Sequence, residues 1–561
     1  MSTVTIKFQA LLTFLLLGIQ ASLGAVFFSS ADALPQNVTY DFIIAGGGTG
    51  GSVVASRLAA NPKWKILVIE AGISNEGFWP VAVAGYWMQL HHSSVDWNFT
   101  TVPQTGLNGR SLYYSRAKVL GGCSSHNGEI YTRGSIDDWN RYARITGNDG
   151  LNWNNILPLL MKEENWQAGE EDLTGHYDPA FHGTNGQLFV SAPYTSHPFN
   201  DQLRKSGDEL SDEFPFDLDW NDGTPVGSVT NYVTRILPTT AGGNDFRVIE
   251  FAADADSAKT QITAKKEVLL GGGIFGSPQI LLNSGIGNRT ELEAIGVKPL
   301  IDNPSVGKNL SDQVAARTLW TTSLPTTNYD LAAALEQWNT SGTGPLGQSF
   351  QLNQLSFFRL PDDAPPFKDE GYLDPSGGKT SPHIEFLYAQ IDAADPTTGS
   401  NNTVLQAYVA NLHPISRGSV TLTSSNPFDY PAIDPALLVE PLDMLILREA
   451  IRSIRRFFTA PAFQGSILEN ISPPANVTSD EDLEAFLRNG GNSWLHSVGS
   501  ASMTPRGASW GVVDPDFKVK GTKGLRIIDA SVIPLTPSAH TQATVYGFAE
   551  IASQEIIMDW H

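Results

Sequence analysis

The stretch from Tyr40 to Gly72, YDFIIAGGGTGGSVVASRLAANPKWKILVIEAG, constrains the fold more than any other part of the chain. Its apolar run Phe42–Ala45 has the composition of a strand buried on both faces. The run enters Gly46-x-Gly48-x-x-Gly51, a helix-compatible segment follows over 52–60, and Asn61-Pro62 stops it. A second apolar run, 65–69, ends in Glu70, 19 residues past Gly51. Each glycine has its own task. Gly46 permits a tight turn, Gly48 lets the backbone approach a pyrophosphate, and Gly51 lets the helix pack close to the strand. The helix N-terminus offers unpaired N–H groups to phosphates, and Glu70 can accept hydrogen bonds from ribose hydroxyls. In a chain with 52 glycines a bare GxGxxG means little. Strand, helix, strand and acid in register predict a dinucleotide-binding β-α-β unit.

At 561 residues the chain is too long for one simple core, so two or more domains are expected. Its 41% apolar and 17% charged residues fit a globular protein. A formal charge of −22 repels nucleic acid. At the N-terminus Lys7 precedes a short apolar core over 10–19 and the small residues Ala21, Ser22, Gly24 and Ala25. That pattern predicts a secretory signal peptide over 1–25; the run is too short for a membrane anchor, and no other stretch is long and apolar enough to span a bilayer. Eight Asn-x-Ser/Thr sequons, at Asn37, Asn98, Asn288, Asn309, Asn339, Asn401, Asn470 and Asn476, agree with an extracellular protein, and some of them must fall in buried segments. Their spread mildly favours a monomer. The single cysteine, Cys123, forms no intramolecular disulfide and reads as a small buried residue rather than a reactive thiol. His91 and His92 have no third ligand at useful spacing, so a surface pair is expected and no metal.

A second glycine-rich stretch is SRAKVLGGCSSHNGEIYTRGS, residues 115–135. The turn at Gly121-Gly122 can wrap N–H groups around a phosphate or the edge of a ring system, and His126 and Asn127 project from it. A third begins at Gly271-Gly-Gly and continues into SPQILLNSGIG, 277–287, where a Ser-Pro helix start again brings backbone near a cofactor. Two histidines stand near the C-terminus, His496 in NSWLHSVG (492–499) and His540 in PSAHTQATVY (537–546). Between them GLRIID, 524–529, reads as a strand ending in an acid. Taken alone, either histidine is more often structural than catalytic.

These segments, with DNPSVGKNLSD at 302–312, resemble the glucose–methanol–choline (GMC) oxidoreductases, a family of FAD flavoproteins. The resemblance implies an α/β fold: a Rossmann-like FAD-binding domain with an inserted α+β substrate domain of antiparallel sheet plus helices. The FAD domain is expected over 36–150, 226–318 and 497–561, and the substrate domain over 151–225 and 319–496. Carried over residue by residue, the cofactor contacts are Gly46, Gly48, Gly51, Glu70, Gly121, Gly122, Ser125, His126, Asn127, Asp529 and Ala530. Relatives with a histidine at the His126 position carry the flavin covalently on it, which implies an FAD–His126 bond. His496 and His540 fall on the family's paired active-site positions, and Gln390 and Trp494 on positions near substrate.

Two histidines facing a flavin suit alcohol oxidation. Hydride leaves a CH–OH carbon easily only as the hydroxyl proton departs, and a neutral imidazole can take that proton near neutral pH. His496 is assigned as base and His540 as its partner, with the roles open to exchange. Within the family, 115–128, YTRGS at 131–135 and TSDEDLEAFL at 478–487 are most similar to fungal sugar dehydrogenases of the pyranose type. That implies oxidation of ring-carbon hydroxyls and transfer of electrons to quinone-type acceptors. An aryl-alcohol oxidase, which shares GASWGVVDPD at 507–516, is the alternative, with a non-redox hydroxynitrile lyase and a catalytically impaired flavoprotein behind it. One departure stands out: the passage ahead of Ser228 is shorter than in the family by a few tens of residues. The strand is therefore expected to be rebuilt from Gly227 to Leu237.

Overall fold

The computed structural model describes residues 26–28, 30–35, 37–167, 178–191, 197–210, 232–352, 354–393 and 402–561. The expected signal peptide, the sequon Asn401, and Gly227 with the shortened passage around it lie outside the described residues.

The β-α-β unit forms as its pattern dictates: strand Phe42–Ala45, helix Thr49–Ala59, strand Ile66–Ile69. The two strands pair in parallel, Phe42 opposite Ile66. Strand Glu267–Leu270 adds on the other side of Phe42–Ala45, and Leu525–Ile527 adds beyond it, all parallel. Phe42–Ala45 and Glu267–Leu270 are buried along their whole length, which is why they read as unbroken apolar runs. Even Glu267, at a strand start, is buried. It accepts two hydrogen bonds from the Arg526 guanidinium, at 2.6 and 3.1 Å, and one from the Trp560 indole at 2.9 Å. Strand Leu525–Ile527 and the C-terminal helix Thr541–Trp560 are thereby tied to the middle of the sheet. That helix is buried for most of its length and packs on helix Thr49–Ala59.

An antiparallel sheet of three strands, Tyr232–Leu237, Val248–Ala252 and Thr260–Thr263, stands beside the parallel one. Tyr232–Leu237 covers the described part of the segment expected as a strand from Gly227. A larger antiparallel sheet runs in the order Gln354–Phe358, Ile384–Asp392, Thr403–Asn411, Val314–Thr322, Ile467–Ser472, with Asn492–Ser493 pairing the start of Val314–Thr322. Its two faces differ because side chains alternate along a strand. Phe386, Tyr388, Leu405, Ala407 and Val409 pack on helix Pro441–Phe457 in a second hydrophobic core. Arg317, Leu387, Gln390, Gln406 and Tyr408 face a large cavity.

The helix that starts at Trp153 ends at Glu163, and Glu164–Trp166 pairs with Leu188–Val190 as a strand. The buried Glu164 carboxylate explains the break: it receives Arg133 at 2.7 Å, His182 at 2.8 Å and the Gly183 N–H at 2.8 Å. Cys123 is exposed, not packed, because its turn opens onto the cavity.

Candidate active site

Three glycine runs meet at the head of the parallel sheet. Gly46 has φ +105°, and a Cβ there would sit 2.2 Å from the Gly271 carbonyl oxygen. A Cβ on Gly51 would lie 2.1 Å from the Gly46 oxygen, so helix and strand pack backbone to backbone. Gly122, at φ +60°, would bring a Cβ within 2.7 Å of Gly48 Cα, and the Gly121 N–H donates to the Gly47 carbonyl at 2.9 Å. Only glycine allows this convergence. Glu70 accepts from the N–H groups of Gly47 and Gly72, both at 2.9 Å, and burial raises its carboxyl above the usual range. Asp529 accepts from the Gly273 N–H at 2.9 Å, the Ser277 hydroxyl at 2.5 Å and the Ser531 N–H at 2.9 Å.

These groups open onto a cavity of about 1100 Å³. Gly46, Gly48, Glu70, Gly122, His126, Asn127, Asp529, Ala530, Gln390, Trp494, His496 and His540 all line it. Gly51 and Gly121 shape its wall through the contacts above without lining it. Ser125 is turned away: its hydroxyl donates to the Leu120 carbonyl at 2.8 Å, and it lines a smaller adjoining cavity of about 260 Å³.

His126 sits in the cavity wall, 5% exposed, with Nε2 3.2 Å from the Leu90 carbonyl oxygen. Burial lowers its pKa, which keeps the ring neutral. His91, expected at the surface, instead stacks on His126 with ring centroids 5.3 Å apart and lines the cavity; burial holds its pKa down at about 4. Its neighbour His92 is exposed and stacks on Tyr113.

At the far end the two C-terminal histidines meet, ring centroids 4.5 Å apart and planes at 71°. His496 is seated by consecutive residues. The carboxylate of Asp312 accepts its backbone N–H at 2.8 Å, and Gln313 Oε1 lies 2.6 Å from its Nδ1. Asp312, fully buried, also accepts the hydroxyls of Tyr114 and Ser493. His540 is the N-cap of the C-terminal helix. Its N–H donates to the Thr132 hydroxyl at 2.9 Å, and its Nε2 is 2.9 Å from Glu385 Oε1. Trp494 flanks both rings, at 6.2 and 6.4 Å, and its indole N–H donates to Glu385 Oε2 at 3.4 Å. Burial, then the nearby His540 and the Arg116 guanidinium, hold His496 well below the ordinary imidazole pKa. Arg116 reaches this region by donating to the Ser497 hydroxyl at 2.8 Å. Gln390 faces the cavity near the end of its strand, its amide N–H group spent on Asp392 at 2.9 and 3.1 Å.

Sequence reasoning missed Glu385, Asp312 and Gln313. Glu385 carried no distinctive signal, since its strand Ile384–Asp392 also holds Gln390 and Asp392. For Asp312 the signal was the acid closing the 302–312 stretch.

A glycine-cradled β-α-β fingerprint, joined by one long cavity to a pair of half-buried imidazoles, defines an oxidoreductase that works on a dinucleotide cofactor. The chain belongs to the GMC oxidoreductases: family models described as GMC oxidoreductase match residues 40–231, 229–315 and 414–549. It is 50% identical to a pyranose dehydrogenase of Agaricus xanthodermus over 98% of both chains. It is 51% identical to pyranose dehydrogenase 3 of Leucoagaricus meleagris over 97% of both. Among solved structures it resembles formate oxidase of Aspergillus oryzae RIB40, with TM-score 0.82, 26% identity, and 94% of this chain and 99% of that chain covered. A fungal aryl-alcohol oxidase gives TM-score 0.78 at 25% identity, covering 93% and 99%. The family cofactor is FAD, and the site fits it: backbone-lined glycine turns at one end, a buried acid beside them, and room for an extended ligand reaching the histidines.

Proposed function

We propose that this chain oxidises a ring-carbon hydroxyl of a pyranose sugar, using FAD joined covalently to His126, and passes the electrons to a quinone-type acceptor. The observation that carries the chemistry is the histidine pair: two imidazoles 4.5 Å apart on a cavity wall, one of them kept neutral by burial. The 50–51% identity to pyranose dehydrogenases favours a sugar over an aromatic alcohol.

When bound, FAD supplies the hydride acceptor. The protein's own groups do the rest. His496 takes the hydroxyl proton as the C–H bond breaks, and its depressed pKa keeps it ready to do so well into acid. His540, braced by Glu385, holds the substrate oxygen as charge develops on it. Trp494 gives the sugar ring an apolar face to lie against. His126, neutral and in the cavity wall, has the nucleophilic form a covalent tether requires. Glu70 takes the ribose hydroxyls, and the glycine turns take the pyrophosphate. The FAD-binding part comprises 36–150, 226–318 and 497–561, the substrate part 151–225 and 319–496, and the protein is a secreted, glycosylated monomer.

The test is an anaerobic spectrum. Glucose should bleach the flavin and benzoquinone restore it, while veratryl alcohol leaves it unchanged. Bleaching by veratryl alcohol alone would transfer the assignment to aryl-alcohol oxidation. After acid precipitation the yellow colour should stay in the pellet; a yellow supernatant over a colourless pellet would remove the tether. His496→Ala should slow bleaching by about 10²–10⁴-fold, the usual contribution of a general base.

A further inference from the structure

We propose that Gln313 is a positioning residue that holds His496 in its Nδ1–H tautomer, leaving Nε2 with the lone pair that receives the substrate proton. The proposal rests on the reading of His496 as the base.

The argument is one of complete hydrogen-bond accounting. Gln313 is fully buried. Its side-chain nitrogen donates to two carbonyl oxygens, Leu412 at 3.2 Å and Pro537 at 2.8 Å. An amide nitrogen has two hydrogens, so both are spent. A flipped amide would set its oxygen against two carbonyl oxygens that have no proton to give, and buried polar groups do not tolerate that. The oxygen therefore faces His496, and it can only accept. Nδ1, 2.6 Å away, must carry the hydrogen. A neutral imidazole has one N–H, so Nε2 is bare. The charged and titratable groups around the ring are Asp312 under its backbone N–H, Arg116 through Ser497, and His540 with Glu385 behind it. The same amide holds Pro537, three residues ahead of His540, so one side chain fixes the tautomer of one histidine and anchors the loop that presents the other.

Two substitutions separate these tasks. Gln313→Glu is held as the neutral acid, because a carboxylate oxygen would face the Leu412 and Pro537 carbonyls, and so keeps an acceptor for Nδ1–H and one donor; Gln313→Leu loses both. With flavin content and melting temperature as controls for folding, kcat/KM for glucose is measured against pH, and 15N spectra of histidine-labelled holoenzyme report the tautomer. Expected for Gln313→Leu are a fall in kcat/KM of about 100-fold, the scale of a displaced general base, and a mixed tautomer signal that His496→Ala assigns by its disappearance. Expected for Gln313→Glu is activity within about tenfold of the parent, with the Nδ1–H tautomer kept, because the acid's carbonyl oxygen still accepts from Nδ1–H. Equal losses in both variants with the parent's tautomer signal unmoved would overturn the proposal and leave Gln313 a scaffold. Unimpaired flavin bleaching by His496→Ala would instead overturn the base assignment on which it rests.

Discussion

Glu385 is a fully buried carboxylate whose two oxygens serve two residues of the site, His540 and Trp494. Replacing it with leucine leaves a buried imidazole N–H and an indole N–H without an acceptor. We expect Glu385→Leu to lower kcat/KM by about 10- to 100-fold, the range for a lost charge-assisted hydrogen bond of roughly 1.5–3 kcal/mol; stopped-flow flavin reduction would measure it. For the parent, kcat/KM should stay level as pH falls through 6.5 and decline only below it, since His496 is held well under that value. A pH profile with its acid limb at or above 6.5 would contradict this. At this scale the sequence was partly legible. Both histidines could be picked out by their motifs, but Glu385 and Gln313 could not, because their meaning lies in partners far along the chain. Burial was read least well. His91 and Cys123 face the cavity because of the space the fold leaves there, which no local pattern reports.

Among elements, the β-α-β unit was legible because every signal in it is local: a short apolar run, a glycine turn, a helix stop, a second run. The rest of its sheet was not. Glu267–Leu270 and Leu525–Ile527 join it from far along the chain, and a four-residue apolar run does not name its neighbour. Nor does local composition show why the helix ends at Glu163: Glu164 reads as helical until its buried partners Arg133 and His182 are seen. The packing of these elements makes one sharp prediction. Gly46→Ala adds a Cβ 2.2 Å from the Gly271 oxygen at a φ of +105°, so Phe42–Ala45 and Glu267–Leu270 must part. That variant should lose more than about 1–3 kcal/mol, the scale of a strained backbone site, and emerge largely without flavin. Thermal unfolding and the ratio of 450 to 280 nm absorbance would check both, in order-of-magnitude terms.

For the whole molecule, pH stability follows from buried histidines. His413 lies between the large sheet and the His540 loop, bonded to the Ser538 hydroxyl at 2.8 Å, and burial holds its pKa down at about 4 against an ordinary 6.5. The unfolded chain takes up a proton below 6.5 while the native chain does not, so stability is lost as pH falls from about 6.5 to about 4. The loss is on the order of 3 kcal/mol for this group, and His91 adds to it over the same window. Melting temperature should drop across that range, and His413→Gln should flatten the drop. The sequons also sort by structure. Asn470 spends its amide on the Leu319 and Ser472 carbonyls at 3.1 Å each, and Asn309 spends its own on Ser502 at 2.9 Å and Pro534 at 3.0 Å. Peptide mapping should find both unmodified and glycans at exposed sites such as Asn339 and Asn476. Finally, the order of strands in the parallel sheet carries a consequence for biosynthesis. The first strand emerges from the ribosome with residue 45, but its sheet is complete only after residue 527 and its cavity only after His540. The growing chain must therefore carry an unfinished, apolar-edged half-site until His540 has been made, and only then is the full cradle open to flavin.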